Sequence, residues 1–387
     1  MTTTRHKLFT PGPTPIPEQV MHLMNESIIH HRGHEFSRIF SRVSQDLKYL
    51  FQTEYDVLTL TTSGTGGMEA VVANLLCRSD RVLTVNAGKF GARWADICRA
   101  YGVDFIEIEK QWGHAVHPDE IVDYLKQYPK IKAVFLTHNE TSTGVTIDLK
   151  SISEAIHANS DALVVVDCIS AIGGIPLKMD AWNLDVVITA SQKGLMLPPG
   201  LAFVALNDRG WKAAAKSDLP KFYLSLKAAR DSLKKDSTPF TPATTIIRGL
   251  EAALSMIKEK TLERLWFEHQ VFGDAVRAAI RALGLSLLSR QPSNALTAVI
   301  VPEQLSCKAI ISGLEQNFGI IVSGGQGHLK DKIFRIGHIG FYDISDIIGI
   351  ISALEIVLKS SGWQFEIGAG ICSAQQILQQ LSVRKQS

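Results

Sequence analysis

Seven short apolar runs separated by helix-like stretches constrain the first half of this chain more than any other feature. The runs cover 56–60, 81–85, 104–108, 132–137, 163–167, 185–190 and 201–206. Several are nearly continuous in Val, Ile and Leu, with none of the alternation of a strand that has one wet face, so they suit strands covered on both sides. The intervening stretches 67–77, 92–100, 119–127 and 149–158 read as helices. Parallel neighbours need crossover connections, and a helix between successive strands supplies them, so the alternation predicts a doubly wound, mainly parallel α/β sheet. The run at 201–206 follows the sixth too soon for a crossover helix and points to an antiparallel member.

After residue 206 the pattern changes. Residues 211–236 are rich in Lys and Ala, and Ser237-Thr-Pro-Phe-Thr-Pro242 is a turn-rich break with two prolines. A long helical pattern from about Thr245 through Leu283 follows, bent or broken near Lys260. Strands at 295–301, 320–322 and 333–336, set among helices at 307–318 and 344–358, form a smaller C-terminal α/β domain. The 387 residues thus divide into an N-terminal arm (1–20), a large domain (21–260) and a small domain (261–387).

Charge and cysteine usage exclude several classes of function. Forty Lys and Arg against 38 Asp and Glu leave a formal charge of +2, too little to seek nucleic acid or a membrane surface. No apolar run approaches 18 residues, so no transmembrane helix is expected, and the charged N-terminus lacks the apolar stretch of a secretory signal. The C-terminal Arg384-Lys385-Gln386-Ser387 is not a peroxisomal tripeptide. Cys77, Cys98, Cys168, Cys307 and Cys372 are an odd, scattered set without CxxC spacing, which fits reduced thiols in the cytoplasm and argues against an iron–sulfur redox subunit.

Ligands of open α/β sheets bind beyond the carboxyl ends of the strands. Three clusters fall there. Thr62-Ser-Gly-Thr-Gly-Gly-Met-Glu-Ala70 links a strand to a helix; its glycines admit close backbone approach and its helix N-terminus offers free N–H groups to an anion. It has neither the P-loop ending nor the GxGxxG spacing. Asp167 ends a buried strand, where a carboxylate needs a cationic partner or caps the next element. Lys193 follows the next strand, 26 residues later; a loop lysine is the plainer reading, but in a dry pocket its pKa falls and it can form a Schiff base. Phosphate cup, buried acid and buried lysine are together the parts that hold pyridoxal phosphate.

With these clusters and three further motifs, the chain resembles the class V, fold-type I pyridoxal-phosphate aminotransferases, in particular the alanine–glyoxylate and serine–pyruvate subgroup. The resemblance spans essentially the whole chain. It rests on Phe9-Thr-Pro-Gly-Pro-Thr14, Ser63-Gly-Thr-Gly-Gly67, Thr137-His-Asn-Glu-Thr-Ser-Thr-Gly144, Val166-Asp167, Ser191-Gln-Lys-Gly194 and Phe334-Arg-Ile-Gly-His-Ile-Gly340, in the family's order. It implies a three-layer fold with a mostly parallel seven-stranded sheet and a smaller C-terminal α/β domain. Lys193 would be the Schiff-base lysine and general base, with Asp167 beside the pyridine nitrogen. Thr65, Gly66, Gly67 and Gln192 would hold the phosphate, and Thr141 would donate to the phenolic oxygen. Phe90 would stack on the ring, where many relatives have Trp, and Ile169 would pack on its other face. Arg335 would grip the substrate carboxylate, and Thr241 would reach the phosphate of the neighbouring subunit of a homodimer.

The activity implied is ping-pong transfer of an amino group from alanine or serine to glyoxylate or pyruvate. Aspartate, phosphoserine or ureidoglycine transamination is the alternative on the same cofactor, and no second pocket arginine is evident from sequence to favour a dicarboxylate. Animal relatives often carry His at the position of Gly67, which leaves the stacking face here more open. Cysteine desulfurases have His just before the lysine, where this chain has Gln192, and neither Cys307 nor Cys372 has a local activating pattern. The stretch Ile29-His-His-Arg-Gly-His-Glu35 spaces His30 and His34 for a helical metal pair, but Gly33 weakens a helix and no third ligand follows. No metal is assigned, and the stretch reads as a loop at the site mouth or subunit contact, with Arg32 meeting anionic groups. His138 and His338 are expected in satisfied polar roles near the pocket.

Overall fold

In the computed structural model, which describes residues 6–383, the seven apolar runs form one sheet. The N-terminal residues 1–5 of the expected arm and the terminal Arg384-Lys385-Gln386-Ser387 lie outside the described residues. The strands are β1 (Val57–Leu60), β2 (Arg81–Asn86), β3 (Asp104–Glu109), β4 (Ile131–Thr137), β5 (Leu163–Asp167), β6 (Val186–Ala190) and β7 (Ala202–Leu206), in the order β1-β7-β6-β5-β4-β2-β3. β7 is antiparallel to both its neighbours, as its short connection demands, and the other pairs are parallel. The carboxyl ends of β1, β2, β4, β5 and β6 therefore share one edge.

Strand residues alternate between two apolar layers. Val134, Leu136, Val164 and Val166 pack with α1 (His34–Phe51) and with the helices that follow β3 and β4. Ala133, Phe135, Leu163 and Val165 pack on the opposite side with α2 (Gly64–Leu75) and α3 (Lys89–Tyr101). The result is a three-layer α/β unit with buried strands, as the continuous apolar runs require.

The long C-terminal helical pattern breaks at Thr261, where φ is 65°, between α4 (Thr244–Lys260) and α5 (Leu262–Ala282). A second, antiparallel sheet follows: β8 (Ser286–Leu287), β9 (Leu296–Ile300), β10 (Ser323–Gly324) and β11 (Ile333–Gly337), in the order β8-β9-β11-β10. The expected strand at 320–322 does not join it. Ile320–Ile321 instead pairs in parallel with Lys7–Leu8, because the N-terminal segment docks on the small domain.

The small domain closes with α6 (Ile344–Ser360) and α7 (Ala369–Leu378), and α7 packs against α5. Glu355 on α6 is buried and accepts the amides of Gly368, Gly370 and Ile371 at 2.7, 2.9 and 3.1 Å, so one carboxylate meets the positive end of α7. Glu355→Ala is expected to destabilise the protein by about 2–4 kcal/mol in urea unfolding and to speed amide exchange in α7 first.

Candidate active site

One small cavity opens at the shared strand edge. It is lined by Ser63, Gly64 and Thr65 after β1, Phe90 and Arg93 after β2, Thr141 after β4, Asp167, Ile169 and Ser170 at β5, and Gln192 and Lys193 after β6. Seven expected residues from five strand ends thus converge there: Lys193, Asp167, Gln192, Thr65, Thr141, Ile169 and Phe90.

Asp167 ends β5 in register with Ile188 and accepts the Ile169 amide at 2.8 Å. Burial pushes its carboxyl up to about 7, and the attraction of Arg93 and Lys193 offsets only part of that. Burial likewise pulls the Lys193 amine down to about 8, aided by the Arg335 charge. The two groups share a cavity, yet burial holds each toward its neutral form.

Lys193 Nζ donates to the carbonyl of Pro11 at 2.9 Å, and Thr14 Oγ1 donates to the Lys193 carbonyl at 2.8 Å. The motif Phe9–Thr14 therefore lies across the lysine. Gly12 has φ +144°, and a Cβ there would sit 2.2 Å from Nζ, so only glycine fits.

α2 starts the phosphate cup. Its N-cap Ser63 makes no side-chain capping bond, which leaves first-turn amides for a ligand. The Gln192 Oε1 is buried and has no hydrogen-bond partner among the described residues. Gly66 and Gly67 do not line the cavity. A Cβ on Gly66 would meet Thr62 Oγ1 at 2.0 Å, whereas Gly67 lies against the sheet, close to Ile188 and Ala202, with its N–H given to the Ser63 carbonyl. Gly67 thus permits close packing of α2 rather than facing the cavity.

Thr141 Oγ1 donates to Ser170 Oγ at 2.7 Å, and Ser170 Oγ donates to the Asn139 carbonyl at 3.0 Å, which fixes both hydroxyls. Arg335 on β11 is buried and stands just outside the lining. It donates from Nη1 to the Thr141 carbonyl at 2.9 Å and from Nε and Nη2 to the Gly324 carbonyl at 3.0 and 2.8 Å. Burial lowers its pKa to about 10, still far above neutrality.

Thr241 is exposed and outside the cavity. Arg32 does not meet an anion as expected. It donates to Ser237 Oγ and the Thr238 carbonyl at 2.6 and 2.5 Å, because the turn before Thr241 offers neutral oxygens at that place. His34 opens α1 and His30 precedes it, so the two do not share a helix face. His138 and His338 are buried, and desolvation lowers both pKa values; His338 is held by Thr297 and Asn294.

Sequence reasoning missed Arg93, Ser170, Gly64 and Glu140. Arg93 follows Phe90 by one helical turn, a spacing that would have placed it beside the ring. Glu140 accepts the Phe90 and Gly91 amides at 3.1 and 2.8 Å, and so holds the start of α3.

The family model "Aminotransferase class-V" matches residues 7–335. The chain belongs to the class V aminotransferases. The serine–glyoxylate aminotransferase of Methylorubrum extorquens is 34% identical over 98% of each chain. A soluble hydrogenase small subunit from Synechococcus is 43% identical, covering 96% of this chain and 98% of its own. Among solved structures, ureidoglycine–glyoxylate aminotransferase from Bacillus subtilis has a TM-score of 0.92 at 29% identity, over 97% of this chain and 99% of the other. The fold-type I architecture is therefore that of this class V aminotransferase, and its cofactor is pyridoxal phosphate.

The residues fit that group: an unsatisfied buried carboxamide, free first-turn amides, an enclosed acid and an enclosed amine all face one cavity. Only a neutral amine attacks an aldehyde. Uptake of pyridoxal phosphate by the cofactor-free protein is therefore expected to speed up about tenfold per pH unit below about 8 and to level off above it. Stopped-flow absorbance checks this, and Lys193→Ala should abolish the signal.

Proposed function

We propose that this aminotransferase moves the amino group of alanine or serine to glyoxylate or pyruvate, with Lys193 as the reacting amine. The observation that carries this reading is Lys193 itself: an amine lowered to about 8, lining one cavity with Asp167 and resting on a backbone carbonyl rather than a carboxylate. The names of the serine–glyoxylate and ureidoglycine–glyoxylate relatives share glyoxylate as acceptor, which supports the same choice here.

In this reading Thr65 and Gln192 hold the cofactor's phosphate, with Gly66 and Gly67 letting the start of α2 pack close to Thr62 and the sheet. Phe90 and Ile169 flank the ring, and Thr141 holds the phenolic oxygen by turning its one hydroxyl proton from Ser170 Oγ to the cofactor. When bound, the group supplies an electron sink for the pair left on the substrate's α-carbon. Asp167 supplies the negative charge that keeps the ring nitrogen protonated. The Lys193 amine takes the α-proton and returns it, and the Pro11 carbonyl gives Nζ a place to rest between transfers. Arg335 keeps N–H groups beyond its three backbone bonds for a carboxylate. One cavity serves donor and acceptor in turn, so ping-pong kinetics follow.

The reading includes a homodimer in which Thr241 reaches the neighbouring subunit. Thr241 is exposed beside Phe222 and Tyr223, which are 80% and 48% exposed and pack on Phe240 at 5.6 and 5.2 Å, an apolar surface suited to a second copy. A cytoplasmic setting would keep the five free cysteines reduced. The hydrogenase name of one relative does not redirect the proposal, because lysine, acid and arginine are all in place.

A panel of alanine, serine, aspartate and glutamate against glyoxylate and pyruvate tests it. Alanine or serine with glyoxylate is expected to exceed aspartate at least about tenfold in kcat/KM, in line with a site that has one carboxylate clamp. A strong aspartate preference would contradict the donor assignment and leave the cofactor assignment standing.

A further inference from the structure

Arg93 is the cavity residue with no assigned part. It projects from the first turns of α3, and its Nη1 donates to Thr65 Oγ1 at 3.0 Å. Its guanidinium lies over the Phe90 ring, 4.7 Å from the centroid. No carboxylate lies within ion-pairing distance of it among the described residues, although it lines the same cavity as Asp167.

A guanidinium beside a hydroxyl at the open end of a helix is a site for an anion, and its planar fork matches phosphate oxygens better than a lysine would. Thr65 sits in the first turn of α2, where amides already face the cavity. Arg93 is only half-buried, and with one side-chain bond it keeps further N–H groups to offer an anion in the cavity. Phe90 stiffens the guanidinium by stacking, so little freedom is lost when an anion arrives.

We propose that Arg93 is a cofactor-positioning residue that binds the phosphate of pyridoxal phosphate together with Thr65. The assignment rests on the reading that Lys193 and its cavity hold that cofactor. Arg93 then offsets the phosphate charge and fixes Phe90 at the same time. It is one residue with two contacts, and the two are separable because pyridoxal lacks the phosphate.

The test compares binding of pyridoxal phosphate and of pyridoxal to the cofactor-free wild type and to R93Q, by absorbance titration and by retention through gel filtration. R93Q is expected to weaken pyridoxal phosphate at least about tenfold and to change pyridoxal less than about twofold. Equal losses for both molecules would overturn the proposal by assigning Arg93 to the ring stack alone, and unchanged pyridoxal phosphate affinity would overturn it as well. R93K, which keeps the charge without the fork, is expected to lose less than R93Q, and it carries the same comparison if R93Q fails to fold in a melting check. A wild type that takes up neither molecule would overturn this assignment together with the reading it rests on, whereas wild-type uptake matched by R93Q overturns the assignment alone.

Discussion

The structure is organised around an acid that cannot be ionised cheaply. Asp167 ends a central strand, buried, with one backbone amide as its close donor. A carboxylate taken out of water needs a cation, and among the described residues none is in direct contact with it. Its raised pKa registers that deficit. A basic ring nitrogen placed beside it would remove the deficit, which is the part we propose for Asp167. Lys193 obeys the same logic with the opposite sign, and burial turns a surface-type amine into a reactive one.

The rest of the architecture serves that enclosure. Parallel strands bring five carboxyl ends to one edge, and the antiparallel β7 closes the sheet without a crossover. The N-terminal segment leaves the small domain at Lys7–Leu8 and lays Pro11 and Gly12 over Lys193. Arg335 reaches from the small sheet to the Thr141 carbonyl, so the residue proposed to grip a substrate carboxylate also ties the small sheet to the turn beyond β4. Its three backbone bonds join Gly324 of the small sheet to Thr141 in the turn that follows β4.

Much of this was legible in the chain because its signals are local. Buried parallel strands announce themselves as Val- and Ile-rich runs, and the break at Thr261 lies one residue from the expected position. Lys193, Asp167 and Thr65 stand at strand ends, where ligands of open sheets bind, and the structure gathers them at one cavity. What escaped depends on partners distant in sequence. The pairing of Ile320–Ile321 with Lys7–Leu8 joins segments more than 300 residues apart, and no periodicity encodes it. The cover that Phe9–Thr14 places over Lys193 has the same origin. α1 differs: Phe36, Ile39, Phe40, Val43, Leu47 and Leu50 carry a clear helical spacing, and Gly33, which weakens a helix interior, caps its start.

The central claim is that Asp167 is neutral in the cofactor-free cavity near pH 6 and ionised once the cofactor is bound. Difference infrared spectroscopy of cofactor binding at that pH reads this directly. Loss of a protonated-carboxyl band is expected in the wild type, and no such loss in Asp167→Asn. A protonated-carboxyl band that survives cofactor binding, or its loss from the Asn variant as well, would contradict it.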